Sequence, residues 1–222
     1  LHCTNIEIHL KKHELLDKRF VDNFVEVVAE LKKDKPVQYV LGETEFLGLD
    51  FHLNNNTLIP RPETEELVMW MAESGLQAGN RVLDVGTGSG CIVVALGKMV
   101  PGLELCGVDI SSEAICQAEM NARENEVEVT FHVRNILEYG KWEWGGFDVI
   151  VSNPPYVRVS EKALMHERVL GYEPHRALFV TDEDPLVFYR VIAEFGRSHL
   201  KPGGLLFFEI NEAFGQEMVE LL

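Results

Sequence analysis

Between Val82 and Ile210 the chain changes its period repeatedly, from a short apolar run to helical spacing and back. "VLDVG" (82–86), "LELCGVD" (103–109), "VEVTFHV" (127–133), "FDVIVSN" (147–153) and "LLFFEI" (205–210) read as short buried strands. "CIVVALGKM" (91–99) and the stretch carrying Ala114, Ile115, Ala118 and Ala122 read as helices. Ser111 or Ser112 is positioned to cap the second of these. Asp184 followed by Pro185 opens a further helix that runs to roughly Leu200, and "KPGG" then turns the chain into the last strand. Strands alternating with helices predict an α/β fold with a parallel sheet wound on both faces. Right-handed crossovers leave few topologies open to it.

The segment before the sheet follows other rules. Leu16, Phe20, Phe24, Val27 or Val28, and Leu31 recur at three- and four-residue intervals, predicting a helix over 12–34, with Pro36 beyond its end. From Gly42 to Asn56 the pattern alternates, with Leu49, Phe51 and Leu53 on one side and Gly48 at a turn, which predicts a β-hairpin. "LIPRPETEELVMWMAES" then starts a helix, with Pro62 in its first turn and Glu63, Glu65 and Glu66 at the positive end of the helix dipole.

A chain of 222 residues, 46% hydrophobic and 25% charged, fits one globular domain plus a small attachment. No apolar run approaches the roughly 20 residues a membrane helix needs, and no signal-peptide pattern opens the chain. Cys3, Cys91, Cys106 and Cys116 show no CxxC spacing and read as buried thiols of a reducing, cytoplasmic compartment. The eight histidines form no HxH or HExxH cluster, so no metal site is expected. A formal charge of −16 argues against direct binding to a nucleic-acid backbone and favours a basic partner. A chain that opens on Leu1 is expected to be a piece of a longer protein.

In a parallel sheet of this kind ligands sit at the carboxyl ends of the strands, near the point where strand order reverses. The strand ends here carry "GTGSG", Asp109, Asn135 and "NPPY", so the chemically unusual residues all fall on one edge. Gly86, Gly88 and Gly90 let a ligand approach the backbone closely. Asp109 follows at about the 20-residue distance at which a carboxylate accepts ribose hydroxyls. The two together point to a nucleoside ligand. A dinucleotide fingerprint would place glycine or alanine where Cys91 stands, so the GxGxG form favours S-adenosylmethionine over NAD. Asp84 either serves the cofactor's amino group or only shapes the loop, and Asn135 is either an adenine contact or a turn residue.

"VSNPPYV" (151–157) ends a strand on an amide, two prolines and a tyrosine. Proline stops the ladder, and each residue before a proline is pushed towards extended geometry, which makes a stiff loop. A planar amide or aromatic amine is a poor nucleophile because its lone pair is delocalised. Two acceptors aimed at its N–H groups raise electron density on nitrogen and fix its direction of attack. The Asn153 side-chain oxygen and the Pro154 carbonyl are such a pair, and Tyr156 offers a face for stacking. No early general base is needed, because methylation makes the nitrogen acidic and the proton leaves afterwards.

"LIPRPETEELV", "VLDVGTGSGCIVVAL", "FDVIVSNPPYV", "YEPHRALF" and "PGGLLFFEI" together resemble the peptide chain release factor glutamine methyltransferases, and "KPVQYVLGETEFLGLDF" resembles the hairpin joining that family's two domains. The similarity runs from about Lys35 to Ile210. It implies a Rossmann-like methyltransferase sheet using S-adenosylmethionine, with a small N-terminal helical segment and a β-hairpin linker. It implies a remnant of the substrate-docking domain over 1–35, the linker over 36–58 and the methyltransferase domain over 59–222. The implied reaction methylates the side-chain nitrogen of the glutamine in the GGQ loop of peptide chain release factors. Carried over by position, Gly86, Thr87, Gly88, Ser89, Gly90, Asp109 and Ile110 bind the cofactor, with Asp84, Asn135 and Ile136 as further candidates. Asn153, Pro154, Pro155 and Tyr156 hold the glutamine, and Arg61, Pro62 and Thr64 help wall the site.

The chain departs from the family pattern in three places. Asn135 and Ile136 stand where the family has an acidic residue and tryptophan. The N-terminal domain is represented by its last helix, and two antiparallel strands expected to finish the sheet are not read before Leu222, which would leave strand five as an apolar edge. NPPY is shared with amino-methyltransferases acting on adenine or guanine in nucleic acid, and a sister group modifies a ribosomal protein glutamine; both are alternatives, disfavoured by "PRPETE", and the nucleic-acid one also by charge. A non-catalytic cofactor-binding module is the third reading, and an intact NPPY loop with Asp109 speaks against it.

Overall fold

The computed structural model describes residues 15–222, together with His9 and His13. Five strands form the central sheet: β3 (Arg81–Val85), β4 (Glu104–Asp109), β5 (Val129–Val133), β6 (Phe147–Ser152) and β9 (Leu200–Phe208). Their order is β5-β4-β3-β6-β9 and every pairing is parallel, as the alternating pattern predicts, while β7 (Val157–Arg158) and β8 (Phe179–Val180) pair apart from them. Strand order reverses between β3 and β6, so the ends of those two strands face the crevice where ligands bind.

Successive residues of a strand point to opposite faces, and the core divides accordingly. Val82, Val149, Val151 and Phe207 pack on one face beneath α3 (Pro62–Glu73) and α4 (Cys91–Met99). Leu83, Val85 and Ile150 pack on the other against Ile192 and Phe195 of α8 (Val187–His199), and Phe147 joins them there because the register shifts between Phe147 and Val149. Leu83 and Ile150 are wholly buried; each such side chain contributes roughly 1.5–3 kcal/mol of transfer free energy.

The crossover helices follow their local signals. Pro62 stands at the first position of α3 and Ser111 caps α5 (Ser112–Glu124), its hydroxyl accepting from the Ala114 N–H. Two start points differ from expectation. After the short helices α6 (Glu167–Tyr172) and α7 (His175–Leu178), α8 begins at Val187 rather than at Asp184, whose side chain pairs with Arg190 instead of capping. Residues 37–41 form a short helix, α2 (Val37–Leu41), within the segment read as hairpin linker, because Pro36 supplies its N-cap and Gly42 closes it in the left-handed conformation.

The hairpin is shorter than its alternation suggests: β1 (Glu43–Phe46) pairs with β2 (Leu49–His52) across Leu47 and Gly48. Phe46 and Phe51 enter the main core, while Leu53 joins a small cluster with Tyr39 and Ile59. Asn121 of α5 fastens the hairpin to the sheet by exchanging hydrogen bonds with the His52 backbone and donating to the Ser89 carbonyl at 2.8 Å. In β9 the residues 201–204 bulge between the pairs Phe147–Leu200 and Val149–Leu205, so regular pairing resumes at Leu205, where the sequence places the strand.

The helix predicted over 12–34 is shorter, α1 (Lys18–Leu31) with Asp17 as its cap, so Leu16 precedes it; Phe20, Val27 and Val28 are half-buried and Leu16, Phe24 and Leu31 exposed. His13 and residues 15–17 are not helical, while residues 12 and 14 and Cys3 lie outside the described residues. Cys91 is buried and Cys106 half-buried, but Cys116 is exposed, because it projects from α5 away from the face carrying Ala114, Ile115 and Ala118.

Candidate active site

The ends of β3, β4 and β6 open on a cavity of about 280 Å³. Its wall includes Gly86, Thr87, Gly88, Ser89, Asp109, Ile110, Asn135, Ile136, Asn153, Pro154, Pro155, Arg61 and Thr64. Residues from five separate parts of the chain thus meet at one place. Asp84, Gly90, Pro62 and Tyr156 stand behind or beside this wall, each for a definable reason.

The glycine loop is shaped by its neighbours. Gly86 has φ +77°, and a Cβ built there meets no atom within 4 Å, so its missing side chain leaves room on the cavity side. Gly90, also at positive φ, serves helix packing instead. A Cβ there lies 3.1 Å from the Ala118 Cβ, so its absence lets α4 and α5 come together. Asp84 is fully buried under the loop, and its Oδ2 accepts the Thr87 hydroxyl at 2.7 Å. Burial pushes its carboxyl up to about 7. Among the described residues its Oδ1 has no hydrogen-bond partner, which suits a donor arriving from a ligand or a bridging water.

Asp109 ends β4 with its carboxylate held by two backbone amides, Gly88 N–H to Oδ2 at 3.0 Å and Ser111 N–H to Oδ1 at 2.9 Å. Burial raises its pKa, and those two amides oppose the rise. A carboxylate so fixed still has lone pairs for ribose hydroxyls. Asn135 caps the turn at Ile136–Lys141, its side-chain oxygen accepting from the Leu137 N–H at 3.1 Å. The turn reading of this residue is therefore realised, while its place in the wall keeps the amide beside the cavity. Ile136 is largely buried in the core below, with an edge on the cavity. Cys91 also lines the cavity; burial pushes its thiol up to about 12, so it is no thiolate nucleophile at neutral pH.

The acceptor side is built on the end of β6. Asn153 Nδ2 donates to Thr64 Oγ1 at 3.2 Å, and Thr64 donates to Glu209 Oε2 at 2.6 Å. Tyr156 donates its hydroxyl to Glu209 Oε1 at 3.0 Å. Burial and the Glu209 carboxylate both raise the Tyr156 pKa, which keeps it a donor. Arg61 does more than wall the site: its Nη2 pairs with Glu173 Oε1 at 2.6 Å, and Glu173 Oε2 accepts the Ile59 N–H at 3.3 Å. The "PRPE" and "YEPHRALF" segments are thereby tied together, with Arg61 on the cavity wall. Pro62, at the exposed first turn of α3, serves the helix start.

Glu209, Glu173 and Arg176 carry no role in the sequence reading. Arg176 lines the cavity and lies close enough to Asp109 to oppose the rise in its pKa. The signal that was available for Glu209 is its position: an acid directly after an apolar strand, on the same sheet edge as the other unusual residues.

The cavity therefore fits an S-adenosylmethionine molecule by three features of the chain: the open space at Gly86, the fixed Asp109 carboxylate and the unpartnered Asp84 Oδ1. Comparison with known proteins agrees. The Methyltransferase small domain family matches residues 63–172. The release factor glutamine methyltransferase of Flavobacterium psychrophilum is 51% identical over 200 residues, covering 88% of this chain and 70% of that protein. The chain belongs to the release factor glutamine methyltransferase family. The member from Bacteroides thetaiotaomicron is 43% identical over 217 residues, covering 98% of this chain and 78% of its own. Among solved structures, a methyltransferase from Pyrococcus furiosus shares the fold with a TM-score of 0.55 at 19% identity, covering 87% of this chain and 82% of that one. A ribosomal protein L11 methylase from Lactobacillus delbrueckii subsp. bulgaricus gives 0.51 at 24% identity, covering 77% and 72%. The family thus has its Rossmann-like sheet here, with the glycine loop and the NPPY loop side by side.

Proposed function

We propose that the protein methylates the side-chain amide nitrogen of the glutamine in the GGQ loop of peptide chain release factors. The observation that carries this reading is the shared cavity: the NPPY loop and the glycine loop form one wall, so an amide held by the first lies beside a nucleoside held by the second. S-adenosylmethionine, when bound, supplies an electrophilic methyl group on a positively charged sulfur. Gly86 to Ser89 and Asp109 hold that molecule, with Asp109 on the ribose hydroxyls and Arg134 and Arg176 at the rim.

Asn153 Oδ1 and the Pro154 carbonyl accept the two N–H groups of the glutamine amide. With both protons engaged, the nitrogen lone pair is the part left facing the methyl group. The stiff NPP backbone holds that direction, and alignment of this kind is worth up to roughly 7–11 kcal/mol. Once methylated, the nitrogen releases a proton to water, so the chain needs no strong base. Tyr156 stacks on the amide plane while its hydroxyl stays on Glu209.

The exposed apolar residues of α1, Phe24 and Val25 among them, belong in this reading to the surface that docks the release factor. No helix among the described residues is long and apolar enough to cross a membrane. Release factors act in translation, so the cytoplasm is the compartment this reading requires.

The test is incubation with methyl-labelled S-adenosylmethionine and purified release factor, beside a factor whose GGQ glutamine is alanine. Label on the first and none on the second is expected. Label on neither, with cofactor binding retained, overturns the reading and turns the search to nucleic-acid amino groups.

A further inference from the structure

An asparagine amide can lie in a site in two ways, because its oxygen and its NH2 group have nearly the same size. One way offers the substrate nitrogen an acceptor; the other offers it a donor and repels it. Two hydrogen bonds decide between them here. Thr64 has a single hydroxyl proton, and it goes to Glu209 Oε2 at 2.6 Å. Thr64 Oγ1 then has only lone pairs left for its other neighbour. That neighbour is Asn153 Nδ2, 3.2 Å away, which donates. Oδ1 is left as the acceptor available to the cavity.

Glu209 is itself held from three further directions. Its N–H donates to the Ser152 carbonyl at 3.1 Å, its own carbonyl accepts the Tyr189 hydroxyl at 3.0 Å, and its Oε1 accepts the Tyr156 hydroxyl at 3.0 Å. Thr64 is 2% exposed, so water does not compete for its hydroxyl.

We propose that Thr64 and Glu209 are positioning residues that set the polarity of the Asn153 amide, so that the methyl-accepting nitrogen always meets an oxygen. This rests on the function proposed above. A carboxylate suits the role because it takes both hydroxyl protons, from Thr64 and Tyr156, at once. In Glu209→Gln one NH2 group must face one of the two hydroxyls. Where it faces Thr64, the Thr64 proton is released towards Asn153, and the amide turns over.

The experiment compares Thr64→Val, which removes the hydroxyl at nearly constant shape, with Thr64→Ser, which keeps it. Glu209→Gln, Asn153→Ala and Thr64→Val/Asn153→Ala complete the set. Turnover and KM are measured on release factor, cofactor affinity by calorimetry, and hydrogen exchange of the Asn153 side-chain NH2 by nitrogen-15 NMR without substrate. Thr64→Val is expected to lower kcat by about 10- to 100-fold, the usual cost of removing a partner that orients a functional side chain. Its cofactor affinity should be unchanged, and Thr64→Ser should recover most of the loss. Glu209→Gln should fall with Thr64→Val. In the Asn153→Ala background Thr64→Val should cost nothing further. Exchange of the Asn153 NH2 should quicken by about fivefold in Thr64→Val, the worth of one ordinary hydrogen bond.

Equal kcat for Thr64→Val and Thr64→Ser, full additivity with Asn153→Ala, or unchanged exchange in Thr64→Val would each overturn the proposal. If the wild type leaves release factor unlabelled while exchange responds as expected, the substrate reading fails and the orienting device stands. If the wild type labels release factor but exchange does not respond, the device alone fails.

Discussion

At Asn153 and Asp109 the two halves of the reaction are separable by single substitutions. Asn153→Ala removes the acceptor and leaves the glycine loop untouched, so turnover should fall about 10²- to 10³-fold with cofactor affinity nearly constant. Asp109→Ala removes the carboxylate that Gly88 and Ser111 hold at the cavity, and it should chiefly weaken cofactor binding. Calorimetry beside single-turnover rates checks both, and equal loss of affinity in the two variants would contradict the division. Both residues were legible in the sequence because each ends a strand on a residue type that strands avoid. Thr64 was read only as part of a wall, and Glu209 was not read at all. Their roles are hydrogen bonds across 145 and 89 residues of chain, which no local pattern announces.

The glycine loop shows two uses of one residue type within a single turn. Gly86→Ala places a methyl group in open space on the cavity side and forces an alanine to φ +77°. It should cost about 1–2 kcal/mol of stability from the left-handed backbone and in addition weaken cofactor binding. Gly90→Ala carries the same backbone cost and drives its Cβ to 3.1 Å from that of Ala118, so it should be the more destabilising of the two in urea. The reverse order would mean that α5 yields more easily than the cavity. Between elements, the Arg61–Glu173 pair carries a similar asymmetry. The Glu173 side chain is 1% exposed and that of Arg61 30%. Arg61→Ala therefore strands a buried carboxylate and should cost about 3 kcal/mol. Glu173→Gln leaves Arg61 a route to water and should cost less, which urea unfolding of both variants measures.

For the molecule as a whole, the buried acid under the glycine loop sets a pH dependence. Asp84 titrates at about 7 in the folded chain against an ordinary value of 3.8. Between those limits the folded state binds more protons than the unfolded, so this residue makes stability fall as pH rises from about 4 to about 7. The full effect is on the order of 4 kcal/mol. Asp109, also raised by burial, acts in the same sense. Asp148 and Glu161 are lowered by their hydrogen-bonded partners, Arg81 and Lys201 for the first and Arg158 for the second, and they lose their contribution only as pH falls through their folded pKa. His132, lowered by burial and Arg134, loses its contribution as pH falls below 6.5. Asp84→Asn isolates the first effect: its advantage over wild type should grow between pH 4 and 7 and be flat on either side. Parallel stability curves would show that Asp84 keeps an ordinary pKa.

Period, turn residues and loop motifs are local properties, and with them the parallel sheet, the hairpin, the glycine loop with Asp109 and the NPPY loop could be read along the chain. The same local rules misplaced the start of α8 and passed over α2, where cap geometry, not composition, decides the helix. Tertiary structure alone decided which way the Asn153 amide faces, that Arg61 pairs with Glu173, and that Asn121 joins hairpin to glycine loop. The reason is physical: a polar side chain acquires its role from the partner that desolvation forces upon it, and the partners here lie 32 to 145 residues away until the sheet brings them together.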